Sequence, residues 1–440
     1  MKKLLFISIM FFTCLFAKSQ TANPNHQWFV DARFGMFIHF GPYSVLADGE
    51  WILETRPLKF HNYKNLQKLF NPQAFDAKEW VRIAKNAGMK YITFTSRHHD
   101  GFSMWDTKQS EWNIMNTPYG KDLIKELADE CRKEGIKLSF YYSLLDWGRN
   151  DYSYWTGRTG QHSGRTERGE WQSYINFMKA QLTELLTNYG EIAGIWFDGE
   201  WDQMAEENQE GFGHEYSKVD WHFDEIYSLI HTLQPNCMIG NNHHLPPLAG
   251  EDFQAFEKDL PGENIGGGFS AKQTVTNALP LETCETINRT WGYNMRDENY
   301  KSSKELVHLL VRAAGYGANL LLNVGPMPNG EFQDECITRL ANMGKWTSAY
   351  GTTIYGTQAG VVKPQSWGAA TQKGNKHYIH ILNSSERSIV VRFPEKIKSA
   401  RWLNIDTKLV WKRNRKTGDV TFDLTNVPMD EVNSIIEVEM

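Results

Sequence analysis

One feature constrains the fold more than any other: short apolar runs alternate with stretches of helical periodicity. Ile192 to Phe197 is apolar with no polar alternation, which suits a parallel strand covered on both faces. The same reading applies to the run ending at His39, to Tyr91–Thr95, Lys137–Ser143 and Cys237–Asn241, and to Leu320–Pro326 with its turn. Between them lie helical segments. Asp76–Ala87 places Trp80, Val81, Ile83 and Ala84 on one side, and Gly88 closes it. Lys121–Glu134 stops at Gly135, and Glu170–Tyr189 carries Tyr174, Phe177, Met178, Leu182 and Leu185 on one face. Asp224–Leu233, Ser303–Tyr316 and Asp334–Gly351 continue the series. Repeated strand–helix alternation predicts a parallel α/β fold. The first strand is not followed by a glycine-rich dinucleotide turn, which argues against a doubly wound nucleotide-binding sheet.

Beyond about residue 355 the period changes to two. Tyr378–Leu382, Ile389–Phe393, Lys408–Trp411 and Val420–Leu424 read as short strands separated by Asn, Ser, Gly and Pro. That pattern predicts a small antiparallel β-sandwich. The expected division is 1–19 as a leader, 20–354 as the catalytic unit and 355–440 as the sandwich.

The leader reading rests on Lys2 and Lys3, the apolar Leu4–Phe16, and Ala17-Lys18-Ser19 before Gln20. It predicts a secreted or periplasmic protein. Cys14 inside the apolar run approaches a lipid-anchor site poorly, so anchoring is not expected. No later run is long and apolar enough to span a bilayer. Cys131, Cys237, Cys284 and Cys336 are scattered without metal-ligand spacing, and are expected to be free and buried. With 47 basic and 52 acidic residues there is no basic block for nucleic acid. The 16 Trp residues suit a ligand with flat apolar faces and many hydroxyls, such as a sugar, or equally a large aromatic core.

Gly194-Ile195-Trp196-Phe197-Asp198-Gly199 places a carboxylate where a strand ends and a glycine turns the chain away. In a (β/α) barrel such a residue faces the active site; the bland alternative is a helix cap. Other strand ends supply His39, His98, His99 and Tyr141 or Tyr142. A metal hydrolase is one reading. It is disfavoured because His98 and His99 are adjacent, and strand neighbours point to opposite faces. The other reading is a carboxylate pair acting on a glycosidic bond, with Asp198 as nucleophile and a second carboxylic acid as proton donor. Glu251, Asp252, Glu257, Glu282 and Glu285 are all candidates for that partner, and periodicity does not choose among them.

Arg33-Phe34-Gly35-Met36-Phe37-Ile38-His39-Phe40-Gly41, Glu50-Trp51 and Arg97-His98-His99-Asp100-Gly101-Phe102 resemble the α-L-fucosidases of glycoside hydrolase family 29. Tyr141-Tyr142-Ser143-Leu144 with Asp146-Trp147, Trp196-Phe197-Asp198-Gly199, Glu282-Thr283-Cys284, Trp291-Gly292-Tyr293 and Leu320–Pro326 extend the likeness across roughly residues 28 to 350. The resemblance implies a (β/α)8-like TIM barrel and a retaining exo-fucosidase with Asp198 as nucleophile. It implies a fucose pocket formed by His39, Glu50, Trp51, His98, His99, Tyr141, Trp196 and Trp291, with no metal or organic cofactor. The expected partner is a fucosylated oligosaccharide or glycoconjugate, and a homo-oligomer is compatible with it. The chain departs from the family where an Arg often follows the fifth strand. Asn241-Asn242-His243-His244 stands there, and His243 is the expected substitute. The segment Gly250–Glu257 resembles the one that usually holds the acid/base, which selects Glu257, with Glu282 as runner-up. Cys284 is expected to pack. A binding protein without catalysis and another retaining exo-glycosidase, for a sugar such as galactose, are the alternatives.

Overall fold

The computed structural model describes residues 24–152, 157–165, 167, 169–203, 219–263, 273–276 and 278–440. The expected leader, 1–19, lies outside the described residues. Eight strands form one sheet: β1 (Phe34–Ile38), β2 (Tyr91–Arg97), β3 (Lys137–Ser143), β4 (Gly194–Asp198), β5 (Met238–Asn241), β6 (Gln254–Glu257), β7 (Leu281–Thr286) and β8 (Ala318–Val324). Their order is β5-β4-β3-β2-β1-β8-β7-β6, and every pairing is parallel. The ring closes without a ladder between β5 and β6. Instead the amides of Asp252 and Phe253 donate to the Ile239 carbonyl at 2.7 and 3.3 Å. Gly240 permits this approach, since a Cβ there would sit 2.2 Å from the Phe253 ring. The result is a nearly closed (β/α) barrel.

Helices cover the outside. They run Ala77–Ala87, Leu123–Glu134, Trp171–Asn188, Phe223–Leu233, Ser303–Gly315 and Asp334–Tyr350, within a residue or two of their sequence-based limits. Asp76 caps the first by accepting from the Lys78 amide, and Gly88 ends it with a φ of 92°. Among the described residues no helix lies between β5 and β6 or between β6 and β7. Alternation gave no signal for β6 and β7 because both carry polar residues along the barrel interior. That interior is filled by Phe37, Tyr91, Tyr141, Trp196, Phe253 and Leu321, so its lower part is solid. No described helix is long and apolar enough to cross a membrane.

The C-terminal region forms two antiparallel sheets. The larger has the order β13-β16-β11-β10-β9, and the smaller β12-β15-β14. These strands are β9 (Gln358–Ala359), β10 (Gly368–Lys373), β11 (Lys376–Ile381), β12 (Ser388–Arg392), β13 (Ser399–Trp402), β14 (Val410–Arg413), β15 (Asp419–Asp423) and β16 (Ser434–Glu439). Ile379, Ile389, Val391, Phe422, Ile436 and Val438 share one core between the sheets. The helix Ser303–Gly315 ties this region to the barrel, where His308 bonds the Val432 carbonyl at 2.7 Å and Arg312 the Gln365 carbonyl at 3.1 Å.

Candidate active site

The C-terminal ends of the strands surround a cavity of about 550 Å³. Asp198 ends β4 and faces it. Tyr141, from β3, donates its hydroxyl to Asp198 Oδ2 at 2.8 Å. Trp201 Nε1 and Asn242 Nδ2 each reach Oδ1 at 3.3 Å. Both carboxylate oxygens therefore have fixed donors, and the group is oriented before any ligand arrives. Burial raises its pKa, opposed by those donors, of which Tyr141 is the strongest.

Glu257 ends β6 and faces the same cavity. Asn242 Nδ2 also donates to Glu257 Oε2, at 2.7 Å. One amide nitrogen thus touches both carboxylates. Contacts this short draw them closer than the ~6.5–9.5 Å that an inverting pair leaves for water. Burial, and next the charge of Asp198, push the Glu257 carboxyl up to about 8. At neutral pH Glu257 holds a proton, while Asp198, with its donors, carries the charge.

The remaining walls accept hydrogen bonds from hydroxyls. Asn323 gives its amide N–H to the Trp291 carbonyl at 2.7 Å, so its oxygen faces His39 Nδ1, also at 2.7 Å. His39 therefore keeps its proton on Nδ1 and offers Nε2 as an acceptor. Burial lowers its pKa to about 3, so it stays neutral. Ser143 donates to the Leu145 carbonyl at 2.7 Å and must accept from His99 Nδ1 at 2.8 Å. His99 Nε2 then points its lone pair to within 3.5 Å of Asp198 Oδ2, an arrangement suited to a hydroxyl that donates to one or the other. Glu50 accepts from the Gly292 amide at 2.7 Å. Trp51 stacks on Trp201 with centroids 5.7 Å apart and planes 16° from parallel. Trp196 and Trp291 complete the aromatic walls. Behind the site the buried Arg97 pairs with Asp146 and donates to the Ser143 carbonyl at 2.6 Å, fixing the ends of β2 and β3.

The structure brings together Asp198, Glu257, His39, Glu50, Trp51, His98, His99, Tyr141, Trp196 and Trp291 around this one cavity. Three expectations need correction. His98 and His99 do not point to opposite sides: β2 ends at Arg97 after a register irregularity, the chain turns, and the two rings lie 4.2 Å apart facing the cavity. Among the described residues no group of three metal-type side chains forms around them. His243 is not in the cavity; it is buried against Glu251 at 2.9 Å. Alternation past β5 turns Asn242 and His244 inward instead. Glu282 lies beneath the cavity, accepting from Tyr91 at 2.5 Å and from Trp196 at 3.0 Å. It has no opening to substrate, so the acid/base runner-up is a supporting residue. Asn242, His244, Trp201 and Lys258 were missed as lining residues. For Asn242 the available signal was its place at the end of a strand, two residues from the expected last inward position. Cys284 lines the floor, and burial holds its thiol well above the ordinary range, consistent with packing. Cys131, Cys237, Cys284 and Cys336 are all free and buried.

A barrel whose open end holds two carboxylates, one charged and one protonated, among hydroxyl acceptors and indoles defines a glycoside hydrolase. A family model described as Alpha-L-fucosidase matches residues 16–352. The Dictyostelium discoideum alpha-L-fucosidase is 28% identical over 367 residues, covering 76% of this chain and 72% of its own. Alpha-L-fucosidase isoenzyme 1 from Paenibacillus thiaminolyticus superposes with a TM-score of 0.80 at 34% identity, over 94% of this chain and 98% of its own. The Thermotoga maritima alpha-fucosidase, solved with a mechanism based inhibitor, gives 0.73 at 25% identity, over 94% and 96%. The chain belongs to the alpha-L-fucosidase family, glycoside hydrolase family 29.

Proposed function

We propose that this protein is a retaining exo-α-L-fucosidase acting by double displacement. Asp198 attacks the anomeric carbon while Glu257 protonates the departing oxygen, leaving a fucosyl ester on Asp198. Glu257, now ionised, takes a proton from water, which attacks the ester and restores both groups. The single observation that carries this reading is the Asn242 amide shared by the two carboxylates, which favours retention over inversion. His39 and His99 accept hydroxyl protons of the sugar, and Glu50 does the same with its remaining acceptor capacity. Trp291 and Phe37, 5.8 Å apart, offer the C5 methyl an apolar wall. The solid interior beneath the cavity closes one end, which favours release of a terminal residue. We also propose export to the periplasm or medium, from Lys2, Lys3 and the apolar Leu4–Phe16. N-terminal sequencing of the mature protein tests that.

The test of mechanism is trapping. Incubation with a 2-fluoro fucosyl fluoride, followed by peptide mass spectrometry, should place the sugar on Asp198. A label on another residue, or hydrolysis without any label, overturns the assignment. A panel of aryl glycosides separates the alternatives: a binding protein releases no phenol, and a galactosidase prefers the galactoside.

A further inference from the structure

The cavity is lined by charges of both signs. Asp198, Glu257 and Glu50 lie in its walls, and Arg158, Lys258 and Arg289 line it as well. They come from three separate loops: the segment after β3, the residue after β6, and the connection after β7. Among the described residues none of these cations forms a close ion pair with a carboxylate, although the Lys258 charge is felt by Glu50 and Glu257. Arg158 and Arg289 are exposed, and Lys258 is half-buried. Lys258 is the fixed member. Its backbone is left-handed, at a φ of 52°, a conformation unfavourable for a residue with a Cβ. Its ammonium donates to the Arg289 carbonyl at 3.0 Å and lies 5.2 Å from the centre of the Trp291 ring. The ammonium is thereby held at the cavity wall, one residue along the chain from Glu257, the group that protonates the leaving group.

Resting on the fucosidase reading, we propose that the leaving-group side of this cavity is a subsite for an anionic aglycone. Its substrates are fucosides whose next sugar or substituent carries a carboxylate or a sulfate. A neutral leaving group leaves the three cations solvated and makes no use of them. An anion placed near them gains their attraction in a cavity whose walls exclude part of the water.

The test compares three aryl α-L-fucosides with similar leaving groups: 4-(carbamoylmethyl)phenyl, 4-(carboxymethyl)phenyl and 4-(sulfomethyl)phenyl. At low salt the anionic pair should exceed the neutral one in kcat/KM by about fivefold, and the ratio should fall toward one near ~0.5 M salt. The Arg158→Gln/Arg289→Gln double variant should lower the same ratio. The two anionic arms report whether carboxylate or sulfate is preferred. A ratio of one at low salt, with the neutral fucoside cleaved, overturns the subsite and leaves the fucosidase reading intact. So does a ratio that survives the double variant. If none of the three is cleaved, the fucosidase reading fails and the subsite with it.

Discussion

Glu257 and Glu282 occupy neighbouring strands and point into the same barrel, yet they sit in different worlds. The β6–β7 register places Ala255 beside Glu282 and Glu257 beside Cys284, so Glu282 lies one interior layer deeper. Burial pushes both carboxyls up, to about 8 for Glu257 and about 7 for Glu282. Glu282 spends its oxygens on Tyr91 and Trp196. Glu257 has one amide donor, a second carboxylate nearby and an open cavity. Desolvation alone therefore does not identify a catalytic acid. What distinguishes Glu257 is access, together with a partner whose charge differs.

The sharpest way to break that contrast is to remove each group. Asp198→Ala should lower kcat by about 10⁴-fold or more, with circular dichroism unchanged. Wild-type turnover in that variant would remove Asp198 from the mechanism. Glu257→Ala should cost about 10²- to 10⁴-fold on natural leaving groups and less on activated aryl fucosides, which need less protonation. Azide should restore part of the rate and yield a fucosyl azide of retained configuration. For Asp198→Ala the azide product should be inverted. Azide rescue confined to Glu282→Ala would instead transfer the acid/base role one layer down.

Asn242 couples the two carboxylates, and its loss should cost about tenfold in kcat/KM. The informative readout is the pH profile. Its acidic limb reports Asp198 and its alkaline limb Glu257, near 8. The Asn242 N–H stabilises the charged form of both groups. Asn242→Ala should therefore move both limbs upward. A lower rate with unmoved limbs would mean that Asn242 merely packs.

The helices and six of the barrel strands were legible because burial leaves a period: one stripe for helices, uniform apolarity for strands covered on both faces. β6 and β7 were not. Gln254–Glu257 and Leu281–Thr286 carry the polar residues that the barrel mouth and its support require, and those residues erase the apolar signal. The same cause hid the choice between Glu257 and Glu282: only the register shows which one meets the cavity. Asp198 was legible because its strand is apolar up to the last residue. His243 was misread because spacing along a loop does not fix which side chain turns inward. β10 and β16 of the sandwich went unread because nearly all of Gly368–Thr371 and Ser434–Val438 is covered on both faces, so alternation is lost there too.

The smallest expected effect is the one that compares the two glutamates most directly. An ordinary glutamate titrates at 4.5, so each of these has a native pKa above its unfolded value. The native state then holds more protons than the unfolded chain between the two values, and stability falls as pH rises through that window. Below 4.5 there is no penalty; above the native pKa the penalty is constant. A glutamine cannot ionise and escapes it. The melting temperature of Glu257→Gln, relative to wild type, should climb from pH 4.5 to about 8 and then level. For Glu282→Gln the climb should level near 7. The rise should amount to roughly 5 °C for Glu257→Gln and roughly 4 °C for Glu282→Gln. The activities should separate where the melting curves do not: Glu257→Gln loses turnover, while Glu282→Gln stays within about threefold of wild type in kcat/KM. Identical losses of activity in both variants would mean that the deeper carboxylate shares the proton after all.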